Sequence, residues 1–199
     1  SSLANLIKVE NTMKTIILAD IFGITPQLKL LASNLSPDYK LLSPYDDDSL
    51  CFEDEKVAYQ YFSLNTDITK YSLKLSECLA NQTESVNILG FSIGTSALWL
   101  CADQQHPNVN KGIGFYSSQI RQYHALSPTF PIHLIFPAKE PHFDVDTVIS
   151  KLTNKPFTKK YKRDFSEVEI STRLMLRITE AIKSNKTKFT FKVNKSTNK

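Results

Sequence analysis

One pentapeptide constrains this chain more than any other feature: Gly90-Phe91-Ser92-Ile93-Gly94, set in the longer run from Asn87 to Trp99. An apolar stretch of strand length leads into it, and an apolar stretch of helical length leads out. A serine on so sharp a strand-to-helix turn sits in a sparsely allowed backbone region, and its neighbours at positions two away must be small. Side chains at Gly90 and Gly94 would collide with the adjacent strand and helix. Two of the chain's five glycines sit here. Ser92 therefore reads as a nucleophile held on an elbow, its hydroxyl exposed at the end of a sheet.

A chain of 199 residues, 41% hydrophobic and 22% charged, has the bulk for one globular domain with a single core. No apolar run approaches the roughly 20 residues of a spanning helix, and no basic-then-hydrophobic leader opens the chain. The expected setting is soluble and cytoplasmic, without a membrane partner. Cys51, Cys78 and Cys101 are odd in number and lack a C-x-x-C pattern, which fits reduced, mostly buried thiols. The net charge is +4. Its excess lies in Lys159, Lys160, Lys162 and Arg163, and in the lysines from Lys183 to Lys199. No nucleic-acid motif accompanies that charge, so it reads as a solvated basic tail and not as a nucleic-acid surface. Neither a Walker loop, a dinucleotide fingerprint nor a metal-ligand cluster is present, so no cofactor or metal is expected. Asp46-Asp47-Asp48 lacks the alternating spacing of a calcium loop.

Residues 1–12 carry no periodic pattern and read as an N-terminal extension before a domain over 13–183, with a basic tail over 184–199. Lys14 to Ala19 is a continuous apolar run suited to a strand covered on both faces. Pro26 opens a helix carrying Leu28, Leu30, Leu31 and Leu35, which Ser36-Pro37-Asp38 stops. A second strand spans 39–45, and helices are expected over 53–62 and 66–81. The elbow strand 86–89 and helix 93–102 follow. Further strands are expected at 112–116, 132–136 and 157–161, with a helix from about 144 to 152 between the last two. A long helix from about 167 to 183 closes the domain, and 188–193 has the alternation of an edge strand. Strands alternating with helices imply a mostly parallel, doubly wound α/β sheet.

Three places together resemble the dienelactone hydrolase family of the α/β-hydrolase superfamily. Ile16 to Gly23 resembles that family's first strand and oxyanion loop, an acidic residue followed by I-F-G. Ser43-Pro44-Tyr45-Asp46 is similar to the end of its next strand, and Gly90 to Gly94 occupies the elbow. Gly112 to Tyr116 also resembles the G-Y-Y that follows the elbow helix. The resemblance covers roughly residues 14–183 and implies a single small α/β-hydrolase domain without a large lid.

It also implies a set of site residues. Ser92 stands at the nucleophile position, where the name-giving enzymes carry cysteine. The backbone N–H groups of Ile21 and Ile93 would form the oxyanion hole. Asp20 matches the acidic residue before the loop, and Asp20, Arg163 and Tyr116 are candidates for substrate binding. Two positions depart from the family. Arg163 stands where its histidine belongs, and arginine accepts no proton near neutral pH. Pro141 stands where its aspartate belongs.

Among the four histidines, His106 and His133 read as structural, and His124 lies in a loop far along the chain from the site positions. His142, in the loop after a strand that ends beside the nucleophile, is the candidate relocated base, oriented by Glu140 or Asp144. Two functions follow. One is a serine hydrolase acting on a small ester or lactone through Ser92 and His142. The other is a catalytically impaired relative whose cleft, with Arg163 over the serine, binds a small anionic ligand or a protein partner.

Overall fold

The computed structural model describes residues 13–137 and 139–163. The expected helix at 167–183, the edge strand at 188–193, and both terminal segments lie outside the described residues. Within them, six parallel strands form one sheet in the order β2-β1-β3-β4-β5-β6. The strands are β1 (Lys14–Leu18), β2 (Tyr39–Leu42), β3 (Val86–Phe91), β4 (Val109–Phe115), β5 (Ile132–Pro137) and β6 (Thr158–Arg163). The helices between them are α1 (Pro26–Leu35), α2 (Glu55–Asn65), α3 (Ile68–Ala80), α4 (Ile93–Ala102) and α5 (Val145–Lys151). This is the doubly wound arrangement that the alternation of elements implies.

Strand side chains alternate between two faces. Ile16, Leu18, Ile88, Leu134 and Phe136 join α3, α4 and α5 in one apolar cluster around Leu75, Leu98 and Trp99. Leu28, Leu31 and Ala32 of α1 are buried too. Leu35 of that helix borders a small cavity over Thr15, Asn87 and Ile113, on the opposite face of the sheet. Both faces of β1 and β3 are therefore covered, which is why these strands read as mostly apolar, with the polar Thr15 and Asn87 buried among them.

Several boundaries differ from the sequence expectation for local reasons. The helix expected at 53–62 begins at Glu55, because the Asp54 carboxylate accepts the Val57 N–H at 2.8 Å as an N-cap. The next helix is capped in the same way by Asp67 on Lys70 N–H. Strand β2 ends at Leu42, since Ser43 Oγ accepts the Tyr45 N–H and turns the chain. Strand β4 starts at Val109, three residues early, where pairing with Val86 extends it. Strand β6 runs through Arg163, paired in register with Pro137, so Arg163 closes a strand and is not in a loop. Its side chain lies outside the described features. A short 3-10 turn at Gln119–Gln122 carries no periodicity that a sequence reading could detect.

Glycine is required where the elbow helix meets the sheet. A methyl group on Gly94 would lie 2.7 Å from the Leu18 carbonyl oxygen and 2.9 Å from that of Ala19. Both obstacles are backbone and cannot yield. At Gly112 the same group would meet side chains, the Leu98 methyls at 3.1 and 3.2 Å and Ile132 Cγ1 at 3.4 Å. We expect Gly94→Ala to lose about 2–3 kcal/mol in urea unfolding, and Gly112→Ala about 1 kcal/mol or less. Equal losses would show that the α4–β1 contact is not the tighter one.

Candidate active site

The site forms at the carboxyl ends of the strands, where open α/β sheets place their ligands. Register fixes who stands beside whom. Leu18 pairs with Gly90, so Asp20 and Ser92 each lie two residues beyond a paired position. Phe91 pairs with Phe115, so Tyr116 follows at the level of Ser92 on the other side. Arg163 closes β6 at the same edge of the sheet.

Ser92 has φ 50° and ψ −113°, a conformation that non-glycine residues rarely adopt. It is held there by its own N–H, which donates to the Phe115 carbonyl at 2.8 Å, and by its carbonyl, which accepts from Ser96 N–H. Every other α-helix among the described residues has an N-cap side chain on its own backbone: Thr25, Asp54, Asp67 and Asp144. Serine is a favoured cap, yet the Ser92 hydroxyl caps nothing. The elbow turns it away from its helix and leaves it half-buried at the sheet edge.

Ile93 begins α4, so its N–H has no partner within that helix and lies at the positive end of the helix dipole. The loop at Ile21 is fastened on all sides but one. Asp20 Oδ1 accepts the Phe22 N–H at 2.9 Å, and the Asp20 carbonyl accepts the Gly23 N–H at 3.1 Å. The Tyr45 hydroxyl donates to the Ile21 carbonyl. The Phe22 carbonyl accepts from Phe52 N–H at 2.9 Å, and Gly23 forms a bridge with Cys51 at a φ of 78°. The Ile21 N–H is left without a turn or ladder bond among the described residues.

Burial raises the Asp20 carboxyl to about 6, opposed by the Phe22 N–H and assisted by the negative charge of Glu55. Tyr45 and Tyr71 lie near it, and burial followed by the Asp20 charge pushes both phenols above their ordinary range. The Tyr71 hydroxyl is shared between the carbonyls of Ala19, at 2.9 Å, and Leu42, at 2.8 Å. Tyr45, Tyr71 and Glu55 were not legible as site residues: their chain positions mark a strand end and two helices, and only the fold turns them toward Asp20.

Tyr116 has φ 56°, its phenol is pushed up by burial, and its N–H donates to the Ile135 carbonyl at 2.9 Å. A bulky residue at positive φ beside the elbow is a second strained point at this edge. His142 is exposed, two residues before the Asp144 cap of α5. The Asp144 carboxylate is engaged by Thr147, whose N–H lies 3.1 Å away. The loop is also fixed by the Arg121 guanidinium, 5.2 Å from the centre of the Phe143 ring. No hydrogen bond among the described residues joins His142 to Ser92, Glu140 or Asp144. Of the other histidines, His133 is buried in β5, and burial with Lys159 and Lys111 lowers it to about 4. His106 bonds Cys101 at 3.1 Å, below the opposite end of α4, and His124 contacts the Arg121 carbonyl at 3.2 Å. Among the described residues no group of three or more His, Cys, Asp or Glu is placed to hold a metal, and no helix is long and apolar enough to cross a membrane.

The raised Asp20 carboxyl ties stability to pH. Its ordinary value is 3.8 and its folded value about 6, so between these the folded chain keeps a proton that the unfolded chain releases. The stability linked to that proton is complete below 3.8 and lost as pH rises through about 6. Asp20→Asn keeps an acceptor for Phe22 N–H and removes the charge. Discounted for partial exposure, it should stabilise the fold by on the order of 1–2 kcal/mol at about pH 7.5 and by little at about pH 4. Equal effects at both pH values in thermal unfolding would count against a strained Asp20 charge.

Solved structures share this architecture. A dienelactone hydrolase from Anabaena variabilis superposes with a TM-score of 0.57 at 14% identity, covering 86% of each chain. The ferulic acid complex of Est1E from Butyrivibrio proteoclasticus gives 0.59 at 10% identity and 89% of each chain. A lipase-esterase related protein from Clostridium acetobutylicum gives 0.58 at 11%, covering 87% of this chain and 95% of that one. At these identities the likeness establishes the α/β-hydrolase fold and nothing finer. No family model matches the sequence. A Bacillus subtilis protein described as uncharacterized, YczH, is 30% identical over 144 residues, 70% of each chain. With that identity on this sheet and elbow, the chain belongs to the family of YczH and has the α/β-hydrolase fold.

Proposed function

We propose that the protein is a serine hydrolase of dienelactone-hydrolase type, acting on a small ester or lactone, with Ser92 as nucleophile. The observation that carries this reading is the Ser92 conformation, φ 50° and ψ −113°, with a hydroxyl that caps no helix. A strained serine whose side chain makes no hydrogen bond among the described residues points to chemistry. In this reading the Ser92 oxygen attacks the ester carbonyl and its proton passes to the His142 imidazole. The oxyanion is held by the N–H groups of Ile21 and Ile93. The leaving alkoxide takes the proton, and water then releases the acid from the acyl-serine. His142 rides on the loop after β5 and engages as substrate orders that loop, since such bonds often tighten only in the complex. Tyr116, and Arg163 from the end of β6, border the substrate.

The alternative, binding of a small anion, meets opposing charge on the β1 side. Asp20 and Glu55 lie there, and the exposed segment beside the loop carries Asp46, Asp47, Asp48, Glu53 and Asp54 as well.

Labelling by a fluorophosphonate, which reacts with activated serines, tests the proposal. The folded protein should label, Ser92→Ala should abolish the signal, and His142→Ala should slow it by roughly 100-fold or more. Undiminished labelling of His142→Ala would remove His142 as the base while leaving Ser92. A folded wild type that does not label would overturn the hydrolase reading.

A further inference from the structure

We propose that Tyr45 is a positioning residue for the oxyanion hole, an assignment that rests on the hydrolase reading above. The loop over 20–23 lies outside the regular ladder and helix bonds, because the chain leaves β1 after Leu18 and no helix begins until Pro26. The peptide between Ile21 and Phe22 is nonetheless held at both ends: Tyr45 donates to its carbonyl, and Asp20 Oδ1 accepts its N–H at 2.9 Å. With that plane fixed and the Asp20 carbonyl bound to Gly23 N–H, the preceding peptide has one orientation, and its free group is the Ile21 N–H. Rotation of the loop by a peptide flip would exchange that donor for a carbonyl, which repels a developing oxyanion.

Tyr45 is itself rigid. Its ring is buried, 3% exposed, and meets Phe52 and Tyr61 edge-on with centroids at 5.6 and 5.2 Å. Its backbone is held by Lys74, whose Nζ donates to the carbonyls of Tyr45 at 2.7 Å and Ser43 at 3.0 Å. The phenol stays protonated at all working pH values, because burial and the Asp20 charge both disfavour a phenolate. It is thus a permanent donor, placed by β2 and aimed at the loop after β1. Such support matters because a misplaced donor forfeits most of its effect on the transition state.

Tyr45→Phe keeps the ring packing and deletes the donor. The test measures p-nitrophenyl acetate hydrolysis and the fluorophosphonate labelling rate, with thermal unfolding to show that the variant is folded. We expect kcat and the labelling rate to fall together by roughly tenfold, with KM within about twofold of wild type. Lys74→Met, which releases the same strand end without touching the ring, should show the same split with a smaller loss. A labelled wild type whose rates are unchanged in folded Tyr45→Phe, or whose loss lies in KM alone, overturns the role of Tyr45 and leaves the hydrolase reading intact. If Tyr45→Phe does not fold, an unchanged kcat in Lys74→Met overturns it. A wild type that neither labels nor hydrolyses overturns both.

Discussion

The close approach of α4 to the end of β1 is the constraint on which the rest of the site depends. Gly94 lets the first turn of the elbow helix rest against the carbonyls of Leu18 and Ala19, with no room for even one methyl group. That contact brings the strained turn at Ser92 and the loop at Ile21 to one place, although roughly 70 residues of chain separate them. Any spacing of the helix from the strand would move the two backbone donors apart. The strain at Ser92 persists because its N–H and carbonyl are both engaged, one by β4 and one by α4.

Beside that contact lies a partly buried carboxyl whose charged form folding disfavours. Asp20 sits near two phenols and Glu55, and burial lifts its carboxyl to about 6. Its hydrogen bond to Phe22 N–H gives the charge partial compensation and closes the loop. Tyr71 ties the end of β1 to β2 from below, through the Ala19 and Leu42 carbonyls. Tyr45 and Phe52 N–H tie the loop from the side. The loop is therefore irregular in shape but held by bonds to the Asp20, Ile21 and Phe22 carbonyls and the Phe22 N–H, with the Ile21 N–H left over among the described bonds.

The opposite flank of the site is built differently. There the loop after β5 is held by the Asp144 cap and by Arg121 over Phe143, and His142 stands exposed just before both. Ser92 and the N–H groups of Ile21 and Ile93 rest on the rigid half, whereas His142 rests on a surface loop.

The sequence by itself determined the layered fold and the elbow. Apolar runs such as Lys14 to Ala19 signal strands dry on both faces, and Gly90-Phe91-Ser92-Ile93-Gly94 between a strand and a helix permits few other geometries. Such signals are legible because they are local: period, glycine and residue order carry them. Helix starts at Glu55 and Ile68 fall two residues later than expected because capping by Asp54 and Asp67 is decided by which carboxylate reaches which N–H. Only the tertiary structure decided the environment of Asp20, the partners of Tyr45 and Tyr71, and the placing of Arg163 at a strand end. These depend on strand register and on side chains that meet from distant segments. Hydrophobic periodicity encodes which face is buried, not which hydroxyl meets which carbonyl.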